Sequence, residues 1–593
     1  MVFRVLGELE ITRISKAMRL DVDKTMIVGA SIEECIHVAG ILNFFQIAEN
    51  FGYKTQFLGP AVKLNDFLKA IANSKAGIIA ISYRLTPDNG KRHLEWFVRQ
   101  VTASPVPGRR YFLGCLPGLE KYAKAMHFFD AIFTGGETVE EIMTVLYGIS
   151  ENTPQERNYP QDLLGRIASK KPYPILRAHF GLPSLEKTID GAKRIAEATI
   201  LDIISIAPDQ AAQEWLQRPD VLKTKESGAG GVPIRSRDDL IALYQQTRCG
   251  NHPLLRIYSG TQDLVDNGKL FSETIHNAWA AVPVFWYSEL DGRGPNSLEN
   301  AIKEHIDAIR WHARNNIPVE VNDPHQWGLR MAPDHLVVAD AYLSARVAKN
   351  SGVKTFVQQL MFNTPAGNTY KMDLARVLAM IEIVQPLVDE KFAVLKETRA
   401  GLTYLSPRAE TAMGQLCAST MMQMAVRPHI MHVVSYCEGD HAAEPEDIVY
   451  SCKLINRVIQ DSLHGLPDVT IDPSIQERKN LLLEEATVLL LGFLQFARDR
   501  GYSDPFMNPT ALASAVREGI FDAPQLKGNK AARGSFQTRI LDGTCIWVNG
   551  SGKKLPERER LVDLGLDIEQ FDKQGVKQLY VIQSRGDDPE STT

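Results

Sequence analysis

The sequence has no Cys-x-x-Cys pair. Its seven cysteines, Cys35, Cys115, Cys249, Cys417, Cys437, Cys452 and Cys545, stand singly along 593 residues. That excludes a zinc ribbon or a thioredoxin-type redox site, and also the three-cysteine cluster that holds a radical-generating iron–sulfur centre. Reduced, mostly buried thiols are expected, Cys35 excepted. Basic residues are not in excess: 66 Lys and Arg stand against 71 Asp and Glu, so no broad cationic surface suits nucleic acid. No apolar run approaches the roughly 18 residues that span a bilayer. The first twenty residues alternate apolar with charged positions and lack the continuous core of a signal peptide. No membrane partner and a cytoplasmic location are therefore expected. Low-complexity tracts and tandem repeats are also lacking.

What the chain does have is an alternation of strand and helix signals. After a lead over 1–24, a first domain over 25–150 carries buried-strand signals at Thr25–Gly29, Lys54–Gly59, Gly77–Ser82, Arg110–Gly114 and Ala131–Gly136. Helical patterns over Glu33–Phe51 and Leu64–Ala72 lie between them. Continuously apolar strands that alternate with helices form a parallel sheet covered on both faces. Ligands of such sheets sit beyond the carboxyl ends of the strands. Here those ends carry His37, Ser82, Gly114 and Gly135-Gly136. An imidazole on a strand-to-helix loop can ligate a metal, and Gly40, three residues on, lets a bulky group approach the backbone.

A polar, proline-punctuated linker over 151–174 precedes a domain over 175–500. Its strand candidates are Ile200–Ile206, Leu254–Tyr258, Val282–Tyr287, Pro318–Val321, Phe356–Met361, Ile430–Tyr436 and Val469–Ile471. Helices such as Leu298–Asn315, His335–Ser351 and Asp373–Val384 intervene. About eight such units fit a (β/α)8 TIM barrel, whose chemistry sits in the loops after the strands. Those loops carry Glu289, Arg293, Asp323, His325, Asn363, Glu438 and His441, and Gln359 lies near the end of a strand. Arg293 suits a bidentate carboxylate clamp, and Glu289, Glu438 or His441 suit amine binding or proton transfer. His325, His441, Asp323 and Glu438 have no tight ligand spacing, so a catalytic metal in the barrel is not expected. A small subdomain and polar tail occupy 501–593.

Three fragments of the first domain, Cys35-Ile36-His37-Val38-Ala39-Gly40, Ser82-Tyr83-Arg84 and Gly135-Gly136, resemble the D-x-H-x-x-G, S-x-L and G-G motifs of the flavodoxin-like (Rossmann-type) cobalamin-binding domain. The resemblance implies that His37 is the lower cobalt ligand, that Ser82 contacts the nucleotide tail, and that Gly135 and Gly136 leave room for it. Gly40, Tyr83, Gly114 and Thr138 complete the implied cofactor-binding set. The family's aspartate, which fixes the ligand tautomer, is Cys35 here, and its leucine is Arg84. Glu33 and Glu34 are the nearby carboxylates available to substitute.

From about Ile200 to Arg560 the chain resembles the barrel subunit of cobalamin-dependent glutamate mutase (methylaspartate mutase). The similarity runs through Gly260-Thr261-Gln262-Asp263, Thr274-Ile275-His276-Asn277, Asn322-Asp323-Pro324 and the segment from Arg539. The family's substrate arginines fall at Ala229 and Tyr258, its tyrosines near Glu289 and Arg293, and its adenosyl-contacting lysine near Ile471. The resemblance therefore implies a radical mutase that binds adenosylcobalamin in preference to methylcobalamin, with glutamate itself an unlikely substrate. The expected partner is a small molecule carrying a carboxylate, and a homodimer is expected by analogy. Two other readings remain open. One is a corrinoid-dependent methyltransferase, favoured by the missing lysine and opposed by the short lead, which leaves no room for a four-helix cap. The other is a non-enzymatic cobalamin-binding or regulatory protein.

Overall fold

The computed structural model describes residues 26–50, 53–137, 139–146, 159–226 and 230–566 and divides the chain into two units, Met1–Glu156 and Arg157–Thr593. The lead over 1–24, Thr138, Ala229, residues 151–158 and the tail beyond 566 lie outside the described residues.

In the first unit, five parallel strands, β1 (Met26–Ser31), β2 (Lys54–Phe57), β3 (Ile78–Tyr83), β4 (Arg110–Cys115) and β5 (Ala131–Phe133), lie in the order β2-β1-β3-β4-β5. The runs of the central strands β1, β3 and β4 are largely apolar because both faces are covered, whereas β2 (Lys-Thr-Gln-Phe) is a partly exposed edge strand. Val28, Ala30, Ile79, Ile81 and Leu113 pack on one side with Phe67, Leu94, Phe97 and Leu119 from the helices there. Ile27, Ile78, Ala80 and Phe112 pack on the other with Phe44 and Phe45 of helix Ala39–Asn50. That helix starts six residues later than the sequence pattern predicts. The amides of Ile32 and Glu33 donate across the sheet edge to Ser82 O (3.1 Å) and Val62 O (2.9 Å), and Glu33 adopts φ 53°. Residues 32–38 are thereby held as a loop, and His37 lies on it.

In the second unit the strands are β6 (Ile175–Phe180), β7 (Ile203–Ile206), β8 (Leu254–Ile257), β9 (Ala280–Ala281), β10 (Val319–Glu320), β11 (Thr355–Phe362), β12 (Ala393–Ala400) and β13 (Ile430–His432). Their order β8-β7-β6-β13-β12-β11-β10-β9 is sequential around a ring, and every pairing is parallel. The Ala278 amide closes the remaining seam by donating to Leu255 O at 2.9 Å. This is the eight-stranded TIM-like barrel sheet the pattern predicts, with three corrections. The strand expected at Val282–Tyr287 is the short β9 followed by a loop. Val469–Ile471 is a turn of 3₁₀ helix. The pattern passes over β6 and β12, whose inward positions are charged.

Part of the expected linker is structural. Helix Leu163–Lys170, capped by the Asp162 carboxylate on Gly165 N at 2.8 Å, brings Leu163 and Ile167 against Ile175, Ile203, Leu254, Val357, Leu395 and Ile430. These side chains form an apolar floor that seals the amino-terminal end of the barrel.

The segment after the barrel packs on the same unit. Helix Pro473–Asp499 lies against helices Asp334–Asn350 and Tyr370–Val384. The antiparallel hairpin β14 (Gln537–Leu541) and β15 (Thr544–Val548) and helix Glu557–Asp563 follow it. Two buried carboxylates fasten the wrap. Asp334 accepts from Arg376 (3.2 Å), Arg478 (3.2 Å) and the Cys545 amide (3.1 Å). Glu557 accepts from Arg560 (2.6 Å), His335 (2.9 Å) and the Trp547 indole (3.1 Å).

Burial alone would raise the Glu557 carboxyl, but Arg560 and His335 hold it at about 2 against an ordinary 4.5. A depressed carboxyl pKa contributes stability that is present above the unfolded value and lost as pH falls through the folded one. Glu557→Gln is expected to cost about 3 kcal/mol at neutral pH. The gap from the unsubstituted protein should close between about pH 4.5 and 2, read from denaturant midpoints across pH. A gap that stays constant with pH removes the carboxylate from the fastening role.

Candidate active site

Strand alternation builds the barrel interior in layers above the floor. On β6, Arg177 and His179 alternate with Leu176, Ala178 and Phe180, which pack outward against the helices. Arg256 of β8, Glu320 of β10, Gln359 of β11, and Glu397 and Arg399 of β12 occupy the corresponding inward positions. Two-residue periodicity thus lines up a middle layer of Arg177, Arg256, Glu320, Gln359 and Glu397.

Charges this deep are costly unless paired and hydrogen-bonded. Arg177 donates to Glu397 and lies 3.8 Å from Glu320. Arg256 donates to Glu320 at 2.7 Å. The Trp279 indole (2.8 Å) and the Gln359 amide (3.2 Å) donate to the same carboxylate. Both guanidinium groups also lie over the Trp279 ring, at 5.5 and 5.1 Å. Burial, reinforced by Glu320, raises the Glu397 carboxyl to about 7 although Arg177 opposes the shift. Among the described residues, Arg256 Nη1 and Nε, Arg177 Nε, Gln359 Oε1 and Glu397 Oε2 have no hydrogen-bond partner. The layer therefore still has donors and acceptors to offer.

Above it, at the carboxyl end of the strands, lie His179, Tyr258, His432 and Arg399. His179 and His432 stack at 4.6 Å, and the Tyr258 hydroxyl is 3.2 Å from His179 Nε2. Among the described residues, no carboxylate lies within ion-pair distance of Arg399, and its Nε is buried without a partner. Burial first, and then the surrounding arginines, hold His179, His325 and His432 far below the ordinary imidazole range. These three rings are neutral at physiological pH. The upper layer is thus one cation among neutral hydrogen-bonding groups, an arrangement suited to an anion.

A second cluster on the rim involves Arg293. Its Nε donates to Asp291 at 2.8 Å and its Nη2 to Gln326 Oε1 at 3.1 Å, while Arg330 donates to the same two side chains at 3.3 and 2.9 Å. With both arginines on Gln326 Oε1, its amide nitrogen turns to His325 Nε2 at 3.0 Å. That contact makes Nε2 the acceptor and leaves the proton on Nδ1, which is buried without a partner. His325 and Gln359 share a cavity of about 10 Å³ with Met361 and Thr364, room for about one water.

The eight residues expected at the mouth therefore divide. His325 and Gln359 meet, and Arg293 joins them through Gln326, while Glu438 accepts from the Ser435 amide at 2.9 Å at the start of its own 3₁₀ turn. The other four are engaged elsewhere. Asp323, fully buried, accepts from the amides of Val284 and Phe285, and burial raises it to about 7. Asn363 is tied to Ser419 at 2.7 Å and through its amide to Asp373. Glu289 is exposed and caps Leu298 N at 2.8 Å. His441 belongs to a separate group with Asp440 and Asp447. Arg177, His179, Arg256, Glu320, Glu397, Arg399 and His432 were not singled out. Their signal is a charged or polar residue at i and i+2 with a small or apolar residue between, as in Leu-Arg-Ala-His-Phe, or with a small hydroxyl residue between, as in Lys-Glu-Thr-Arg-Ala.

On the first unit, parallel register puts Ser31, Ser82, Gly114 and Phe133 in one row at the carboxyl edge, two residues before Gly135. Ser31 Oγ, also missed, donates to His37 O at 3.2 Å and ties the histidine loop to this row. His37 is exposed. Its Nδ1 lies 3.9 Å from Cys35 Sγ, so Nε2 is left to face a ligand. The thiol therefore stands where the motif has its carboxylate. Neither nearby glutamate replaces it, because Glu33 is bound to Leu64 N (2.7 Å) and Lys63 (3.0 Å), and Glu34 pairs with His93 (3.2 Å). A Cβ at Gly40, Gly135 or Gly136 would meet nothing within 4 Å, and Gly135 has φ +94°. Tyr83 is instead a core residue, fully buried beneath Gly90 of helix Pro87–Ala103. An exposed imidazole with one nitrogen free, on a loop tied to the Ser31–Ser82–Gly114 row, could hold a metal or a metal-centred cofactor.

No protein-family model matches the sequence, and no curated protein matches it. Among solved structures, one of 2,3-dimethylmalate lyase, a PEP mutase/isocitrate lyase superfamily member, is similar with a TM-score of 0.26 and 12% identity, over 55% of this chain and 95% of that chain.

Removing one partner of a buried ion pair strands the other, whereas replacing both with apolar groups is often nearly neutral. Arg177→Met is accordingly expected to destabilise the protein by about 3–5 kcal/mol. Arg177→Met combined with Glu397→Leu should recover most of that loss in denaturant unfolding. Additive losses in the double variant remove the pair from its assigned role.

Proposed function

We propose that this chain is a cobalamin-binding enzyme, an adenosylcobalamin-dependent mutase whose substrate carries a carboxylate. The observation that carries the reading is the rim of the first unit, where His37 stands beside the Ser31–Ser82–Gly114 row and the open Gly135-Gly136 turn. Strand order 2-1-3-4-5 puts that rim at the switch point between β1 and β3, where ligands of such sheets bind.

His37 would hold cobalt through Nε2, with Cys35 at Nδ1. A thiol is a weaker acceptor than a carboxylate, so it raises the basicity of the imidazole less. Ser82 and the two glycines would line the slot for the tail. Adenosylcobalamin, when bound, supplies a carbon-centred radical that abstracts and returns substrate hydrogen. In the barrel, Arg399 would bind the substrate carboxylate, with Tyr258 and the neutral His179, His325 and His432 as hydrogen-bond partners that add no charge. The closed floor and the paired middle layer keep bulk water from entering below, as radical chemistry requires.

The test loads the full chain, labelled with ¹⁵N-histidine, with adenosylcobalamin or methylcobalamin. Histidine-nitrogen coupling to reduced cobalt in paramagnetic resonance, lost in His37→Ala together with about tenfold or more in affinity, supports the site. Failure of the unsubstituted protein to bind either corrinoid overturns the reading, and methyl transfer without a radical signal overturns the mutase assignment. For the barrel, millimolar succinate should raise the thermal midpoint of the unsubstituted protein and not that of Arg399→Gln. An equal rise in both removes Arg399 from carboxylate binding.

A further inference from the structure

Beyond β13 the chain makes a 3₁₀ turn, Tyr436–Gly439, and then a short loop into helix Pro445–Gly465. Cys437 lies on the turn, His441 on the loop and Asp447 in the first turn of the helix. The thiol sulfur, an imidazole nitrogen and a carboxylate oxygen of these residues all lie within 4.8 Å of one another. Among the described residues no other set of three such donors comes this close. The barrel metal set weighed in the sequence, His325 with His441, Asp323 and Glu438, does not gather. Cys437 was read there as an ordinary buried thiol.

Each donor has a neighbour that orients it. His441 Nδ1 is held by Asp440 at 2.9 Å, and its Nε2 lies 3.7 Å from Asp447 Oδ2. A carboxylate on one imidazole nitrogen with the other nitrogen turned to the donors is how proteins prepare a metal-binding histidine. Asp447 is held by the Tyr436 hydroxyl at 2.9 Å and the Glu444 amide at 3.1 Å. Cys437, buried, lies with Sγ 3.5 Å from Ser435 Oγ, whose hydroxyl can turn to support a thiolate. The Cys437 carbonyl accepts from both the Asp440 (2.8 Å) and His441 (2.9 Å) amides, which keeps the loop closed on the turn.

We infer that Cys437, His441 and Asp447 form a binding site for a divalent metal of the zinc class, with one coordination position open to solvent. Sulfur, nitrogen and oxygen together suit a borderline-soft ion, and bonds of about 2.0–2.3 Å place tetrahedral donors roughly 3.3–3.8 Å apart. The His441–Asp447 separation already lies in that range. The sulfur closes by about 1 Å or less, and His441, exposed on its loop, has the freedom to meet it. Three protein ligands plus an open position is the form of a catalytic zinc site. A metal-bound water or a substrate heteroatom would occupy the open position.

The site is tested on the full chain, freed of metal by chelation and kept free of corrinoid, so the outcome does not depend on the proposed function. Zn²⁺ is titrated by calorimetry, and Co²⁺ serves as an absorbance probe. One equivalent of Zn²⁺ and a thiolate-to-cobalt charge-transfer band are expected, with affinity at least tenfold weaker in Asp447→Asn and in Asp440→Asn, which removes only the orienting carboxylate. Cys437→Ser should abolish the charge-transfer band. His441→Ala, at an exposed position that leaves the fold intact, should lower affinity still further. Absence of Zn²⁺ binding, or binding unchanged in His441→Ala and Asp447→Asn, overturns the inference.

Discussion

The pairing of Arg177 and Arg256 with Glu320 and Glu397 is the constraint on which the second unit rests. Four charges are held inside a barrel where branched aliphatic side chains would pack more cheaply. Each is compensated by the others and by Trp279 and Gln359, with His179 also meeting Arg177 and the Tyr258 ring lying under Arg256. The layer needs a dry floor, because water entering from below would compete for every donor. Helix Leu163–Lys170 supplies that floor. The layer also shapes what lies above it. Arginine charge below and beside His179 and His432 adds to their burial in keeping them unprotonated. The chemistry available at the mouth follows from what is buried beneath it.

The outer packing answers a different need. Helix Asp334–Asn350 is buried on nearly all sides, and helix Pro473–Asp499 is long and apolar enough, by length and composition, to cross a membrane. Just over half of its most apolar stretch, 56%, is buried in the protein, and it carries Arg478 to Asp334 and Glu485 to His335. A helix that is apolar around most of its circumference must be covered from outside. The carboxyl-terminal hairpin and helix provide the cover, and Asp334 and Glu557 hold it there. This segment packs against the helices of the barrel unit.

The first unit was legible because its central strands β1, β3 and β4 are buried on both faces and so read as largely apolar runs. The barrel was legible as a count of units. Its ends were not, and the reason is physical. Inward-facing arginines and glutamates break the apolar signal of β6 and β12, and these strands carry Arg177, His179, Glu397 and Arg399. Loop polarity misled in the opposite direction. Asp323, Asn363 and Glu289 look like catalytic residues by type and place, yet Asp323 and Glu289 accept from backbone amides and the Asn363 side chain accepts from the Ser419 hydroxyl. A single sequence does not separate a carboxylate that holds a loop from one that faces a substrate, because both need the same residue at the same turn.

The two cysteine–histidine pairs illustrate how a neighbour sets what an imidazole can do. At His37 the nitrogen away from the ligand side is met by the Cys35 thiol at 3.9 Å, a weak acceptor that is itself approached by the Arg84 amide at 3.3 Å. At His441 the same nitrogen is met by the Asp440 carboxylate at 2.9 Å. A carboxylate fixes the tautomer and increases the basicity of the far nitrogen, and a thiol does little of either. On that argument His441 is the better prepared of the two histidines as a metal ligand, even though His37 lies in the motif that reads as one. Under the proposed function, cobalt ligation at His37 would depend on what else grips the corrinoid, the Ser82 row and the open Gly135-Gly136 turn, more than on the strength of the imidazole itself.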